Sequence, residues 1–204
     1  MTRRFLALGD SYTIGEGVNA TERWPMRLAL ALRAAGVPLD DPQIIARTGW
    51  TTTELLAALD TTSPQPGTDF DLVTLLIGVN DQYRGRGLAV FRGGLSVLLS
   101  RAIAYGDGEA GHVLVISIPD WGVTPFAATD PRGAEAISAE IDRFNAAARD
   151  AARQAGAAFV DVTTVSRRAA QDRTLLAGDG LHPSGAMYAE WARLILPVAV
   201  QAMA

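Results

Sequence analysis

The run FDLVTLLIG, residues 70–78, constrains this chain more than any other stretch. It is apolar at odd and even positions alike, so a strand formed there has no face to give to water. Such a strand belongs inside a parallel sheet with helices packed on both sides. RFLALG (4–9), QIIAR (43–47), HVLVISIP (112–119) and AAFVDV (157–162) are further short apolar runs of the same kind. Helical patterns fall between and after them, at 24–36, 52–60, about 86–105, 134–155 and 184–204. Their ends carry the expected chemistry. Pro25 fits a first turn, Gly36 a C-terminal cap, and Thr51 with Glu54 a capping box. Pro197 is expected to end or kink the last helix. Strands alternating with helices predict an α/β fold, a five-stranded parallel sheet between two helical layers with right-handed crossovers. No repeat, low-complexity tract or linker interrupts residues 1–204, so a single domain is expected.

Composition removes several functions. The net charge is −4, no Lys occurs, and the Arg residues form no basic block. That argues against a nucleic-acid partner. The absence of Cys excludes disulfides, thiolate catalysis and Cys-based zinc sites. Two distant histidines make a poor ligand set, so neither metal nor cofactor is expected. No apolar run approaches the ~20 residues of a membrane span. Arg3 and Arg4 precede only FLAL, too short for a signal peptide, which makes the cytoplasm the default unless a leader has been trimmed. Oligomeric state has no signature in the chain.

In open α/β sheets the ligand sits beyond the carboxyl ends of the strands. The segments that matter are therefore GDS (9–11), TGW (48–50), GVND (78–81), PDWG (119–122) and DGLH (179–182). Within ALGDSYTIGEG, residues 7–17, two chemistries compete with a plain turn. GEGVNA (15–20) has the letters of a dinucleotide loop, but Gly15 comes six residues after Gly9, where the turn should be tight. GDGEAG (106–111) precedes a strand instead of following one, and a Walker A loop needs the Lys this chain lacks. The alternative makes Ser11 a nucleophile, which requires a base, an orienter for that base and donors for the oxyanion. His112 reads as a solvated residue at a strand end. His182 is preceded three positions earlier by Asp179, close enough to hold Nδ1 and leave Nε2 free as a base. Asp161 is the rival orienter. Asp10 and Asp81 carry the wrong charge for oxyanion donors and read as structural, Asp10 accepting backbone N–H bonds in its turn and Asp81 capping the following loop. No G-x-S-x-G occurs, which argues against the nucleophile elbow of α/β-hydrolases.

Taken together and in order, GDS, TGW, GVND and DGLHPS resemble the motifs of the SGNH, or GDSL, hydrolase family. The resemblance spans the chain and implies a flavodoxin-like sheet of order 2-1-3-4-5. It implies Ser11 as nucleophile, His182 as base and Asp179 as its orienter. The oxyanion hole would be the backbone N–H groups of Ser11 and Gly49 with the side-chain amide of Asn80. The implied activity is a serine esterase acting on small acyl esters through an acyl-enzyme. Thioesterase and carbohydrate O-deacetylase are alternatives on the same site, and a nucleotide- or flavin-binding module or a non-catalytic binder lies further off. Pocket walls are expected from Trp50, Tyr83, Arg84, Trp121 and Phe126, with Arg84 equally suited to an acidic substrate. Short connections predict a shallow pocket for short acyl chains.

Overall fold

A computed structural model describes residues 2–62 and 69–203. Five strands form one parallel sheet: β1 (Phe5–Gly9), β2 (Gln43–Ala46), β3 (Leu72–Leu76), β4 (Val113–Ile116) and β5 (Ala158–Val160). Their order is β2-β1-β3-β4-β5. Every residue of β1, β3 and β4 is buried, as a run without a polar face demands. Helices α2 (Trp24–Ala34) and α8 (Gly185–Ala202) pack on one another, and α5 (Leu88–Tyr105) packs on both α3 (Thr52–Thr62) and α6 (Ala134–Ala155). These two helical layers sandwich the sheet, an α/β/α architecture.

Three short helices were not foreseen: α1 (Ser11–Ile14), α4 (Val79–Tyr83) and α7 (Thr163–Ser166). At four or five residues they carry too little periodicity to read from sequence. All three follow strand ends directly. Of the two outcomes expected at Pro197, an end to the last helix does not occur: the helix continues to Ala202. Ile195 and Ala199, on either side of the proline, are buried in the core and hold both segments down. Residue 204, assigned to that helix, lies outside the described residues. Among the described residues α5 is the one helix long and apolar enough to cross a membrane. Its Phe91, Leu95 and Leu98 are buried and the helix packs against α6 and β3, while Val90 and Val97 on the same helix are exposed.

The register sets the stage for chemistry. Gly9 pairs with Ala46 on one side and Leu76 on the other, so β1, β2 and β3 end level. From β1 the chain crosses to β2 on one side, while β3, β4 and β5 extend on the other, which opens a crevice at that end of the sheet. Gly9 is required by close approach: a Cβ there would lie 2.2 Å from Thr13 Oγ1 and 2.5 Å from the Leu76 carbonyl oxygen.

Candidate active site

Ser11 is the first residue of α1, directly beyond β1, and is buried. At the first helical position its N–H has no intrahelical acceptor. Asp10 caps the helix, its Oδ1 accepting the Tyr12 N–H at 3.0 Å, as expected for a turn carboxylate. Burial pushes the Asp10 carboxyl up to about 8, Asp81 adds to that rise, and the bond from Tyr12 opposes it. At neutral pH Asp10 is therefore mainly protonated and places little negative charge beside Ser11. Gly15 and Gly17 are both left-handed, and Gly15 ends α1, so the glycines of GEG terminate a helix and turn the chain.

Asp179 and His182 pair at 2.6 Å through Oδ2 and Nδ1. The other carboxylate oxygen accepts the N–H groups of Leu181 and His182, both at 2.9 Å. Burial works against the charged carboxylate, but the bond from the His182 ring and the two backbone bonds outweigh it and hold Asp179 below its ordinary range. The segment is closed on itself. The Ala177 N–H donates to the His182 carbonyl at 2.7 Å, and Leu176 bridges Pro183. Asp161 instead accepts from Ser117, Thr163 and Thr164 beside β5. His112 contacts the Gly106 carbonyl oxygen through Nδ1 at 2.9 Å.

Ser11, Gly49, Asn80 and His182 border one cavity of about 130 Å³ at this end of the sheet. Gly49 has φ +83°, a left-handed conformation that a side chain would strain. Asn80 Nδ2 donates to the Trp50 carbonyl oxygen at 2.9 Å, which fixes the amide and leaves its second hydrogen for another acceptor. Asp81 does not cap the loop that follows it. Its carboxylate is fully buried and accepts the Thr52 N–H at 2.9 Å and the Thr52 hydroxyl at 2.8 Å, so it caps α3. The unpaired N–H at the start of α3 offers a stronger partner than a solvated loop does. The expected capping box is present on the same turn, with the Thr51 N–H donating to Glu54 at 2.8 Å.

Tyr83, Trp121 and Phe126 form the aromatic wall of the cavity. Trp121 is 2% exposed and Tyr83 and Phe126 are 45% and 43% exposed, so the indole is floor and the other two are rim. Trp50 and Arg84, expected on this wall, are not among the residues that border the cavity. The Trp50 ring packs against the core, and Arg84 is drawn away by Glu54 and the Gly49 carbonyl. Sequence reasoning missed Gln82 and Arg132. Trp121 Nε1 donates to Gln82 Oε1 at 2.8 Å, and Arg132 stacks 5.2 Å from the Trp121 ring centroid. A glutamine inside a short helix gives no signal of a partner in another segment. A larger hollow of about 440 Å³ opens between α5 and α6, lined by Arg92, Ser100 and Asp150, away from all these groups.

A buried serine and a carboxylate-held histidine thus border one cavity at the switch point of a parallel α/β sheet. The chain belongs to the GDSL-like lipase/acylhydrolase family, which it matches over residues 7–190, and it is accordingly a carboxylic ester hydrolase. No curated protein sequence matches it significantly. Several solved structures share its fold. TesA is 22% identical, with 96% of this chain and 97% of that one covered and a TM-score of 0.72. Axe2, an acetylxylan esterase from Geobacillus stearothermophilus, is 18% identical over 97% of this chain and 94% of its own, with a TM-score of 0.73. A member of the lipolytic protein G-D-S-L family from Veillonella parvula is 17% identical over 97% and 96%, with a TM-score of 0.66.

Proposed function

We propose that this chain is a serine esterase that hydrolyses small acyl esters through an acyl-enzyme on Ser11. The observation that carries the reading is the Asp179–His182 pair at 2.6 Å, with His182 bordering the same cavity as Ser11, Gly49 and Asn80. In this reading Ser11 Oγ attacks the ester carbonyl while His182 Nε2 takes the hydroxyl proton. Asp179 holds the opposite ring nitrogen, keeps the productive tautomer and stabilises the imidazolium. The oxyanion of the tetrahedral intermediate accepts from the N–H groups of Ser11 and Gly49 and from the Asn80 amide. His182 then returns the proton to the leaving alkoxide. Water, deprotonated by the same His182, releases the acid from Ser11.

Size supports a short acyl group. The cavity's ~130 Å³ falls below the ~300–1,000 Å³ of sites for drug-sized ligands. Its aromatic wall suits an apolar acyl chain of few carbons, with the alcohol at the rim between Tyr83 and Phe126. Hydrolysis of p-nitrophenyl acetate by the wild type, Ser11→Ala and His182→Ala tests the mechanism. Wild-type rates in both variants would refute it. A series of p-nitrophenyl esters from acetate to octanoate tests the size argument, with kcat/KM expected to fall steeply beyond butyrate.

A further inference from the structure

The loop that carries Gly49 is held from one side by a single segment, α4 and the residue after it. Asn80 grips the Trp50 carbonyl and Asp81 grips Thr52. Arg84 completes the set. Its Nη2 donates to the Gly49 carbonyl oxygen at 2.6 Å, while Nη1 reaches both Glu54 carboxylate oxygens at 3.0 and 3.2 Å. Glu54 in turn accepts the N–H and the hydroxyl of Thr51, each at 2.8 Å. Burial opposes the Glu54 charge, but the Thr51 bonds and Arg84 overcome it and draw the carboxyl down to about 2, so this anchor stays charged. The ring Gly49–Thr51–Glu54–Arg84 is thus closed by one guanidinium.

We propose that Arg84 is a positioning residue for the oxyanion hole. Gly49 has no side chain and a φ of +83°, and its turn is closed by one bond of its own, the Trp50 N–H on the Arg47 carbonyl oxygen at 3.2 Å, to which Arg84 adds a second hold on the same peptide. Thr48, one residue earlier, is bonded through its hydroxyl to Glu16. Arg84 fixes the carbonyl on the far side of the Gly49 Cα. With both sides held, the Gly49 N–H keeps one direction. A donor accelerates acyl transfer only when it is aimed in advance at the developing charge, and a displacement of ~1 Å costs up to about 100-fold. The same bonds argue against Arg84 as a reader of anionic substrates, because its charge is already paired with Glu54 and its fork is turned to the Gly49 carbonyl. The proposal rests on the reading of Gly49 as an oxyanion donor.

The test uses the whole chain with Arg84→Met, Arg84→Lys and Glu54→Gln, assayed on p-nitrophenyl acetate and on an anionic ester, mono-p-nitrophenyl succinate. Arg84→Met is expected to lower kcat about tenfold on both esters with KM within about twofold. Inhibition by phenylboronic acid, whose tetrahedral adduct on Ser11 puts an oxygen into the hole, weakens by the same factor. Arg84→Lys recovers most of the kcat, and Glu54→Gln, which frees the guanidinium to wander, loses an intermediate amount. Should Arg84→Met fail to fold, the Lys and Gln variants carry the same readouts. Wild-type kcat in folded Arg84→Met overturns the proposal, as does a kcat loss that boronate binding does not share. A KM increase confined to the succinate overturns it in favour of substrate-charge recognition. Ser11→Ala run alongside separates the failures. If it retains turnover, the esterase reading itself falls; if it is inactive while Arg84→Met is normal, only the role of Arg84 falls.

Discussion

The two halves of the site are built by opposite means. Ser11, Gly49 and Asn80 stand on three separate strand ends and are tied together across the sequence: Asn80 to Trp50, Asp81 to Thr52, Arg84 to Gly49. Asp179 and His182 sit three residues apart and are tied to one another within a single loop. In the proposed mechanism the first set is the oxyanion half, and it depends on the whole sheet being assembled in register. The second set is the proton-transfer half, and it needs a few consecutive residues and the fold-back bonds that close their loop. The difference teaches which substitutions strike chemistry alone and which strike chemistry and folding together.

The largest effect falls where the halves meet. Ser11→Ala and His182→Ala are each expected to lower kcat on p-nitrophenyl acetate by about 10⁴–10⁶-fold, and the double variant should be no worse than either, because the residues act as a unit. Multiplying losses would break the comparison by showing two independent sites. Asp179→Asn tests the local half. It should lose about 10⁴-fold in kcat through the wrong tautomer, while the melting temperature moves by less than about 2 °C. Asn80→Ala tests the assembled half and is expected to cost about 10²–10³-fold in kcat.

Asp81→Ala sharpens the contrast, because this carboxylate touches no substrate in the proposed mechanism. Removing it leaves the Thr52 N–H and hydroxyl without their buried acceptor, at a cost of about 1–3 kcal/mol. A loss of several degrees in the melting temperature should follow. A melting temperature as little changed as that of Asp179→Asn would erase the distinction between the halves.

The last expected effect concerns Asp10 and pH. In the folded chain Asp10 keeps its proton until about pH 8, whereas unfolded it loses that proton near its ordinary value of 3.8. Between those values the native state holds the extra proton, so the Asp10 contribution to stability falls as pH rises and levels off above about 8. Urea melts of wild type and Asp10→Asn at pH 5 and pH 8 measure this. The variant, which has nothing to ionise there, should lose less stability over that interval. Parallel behaviour of the two proteins would show that Asp10 is ionised in the fold.

Much of this contrast was legible in the sequence, and the legible part was the local part. FDLVTLLIG declared a covered strand because alternation was missing, and Asp179 declared its pairing through a three-residue spacing. Capping of α3 by Glu54 was equally local, an i, i+3 pattern. What escaped was contact at a distance. Asp81 was assigned to the loop after it because nothing in GVND points to Thr52, whose nearness is created only when β3 lies within one strand of β2. Arg84 was assigned to the pocket for the same reason: an exposed loop arginine reads as a ligand-binding group until Glu54 and the Gly49 carbonyl are brought to it. Trp121 was legible as a pocket wall, but its indole N–H meets Gln82 only through the sheet.

The loop that holds Asp179 and His182 is zipped at its base, with Ala177 bonded to the His182 carbonyl and Ser184 to the Leu175 carbonyl. A segment fastened in that way is a prefabricated unit, with the imidazole and its carboxylate delivered on one piece of chain. In the proposed mechanism the rest of the fold has only to dock that unit, through contacts such as the Phe126 N–H on the Gly180 carbonyl oxygen and the Tyr12 ring against His182.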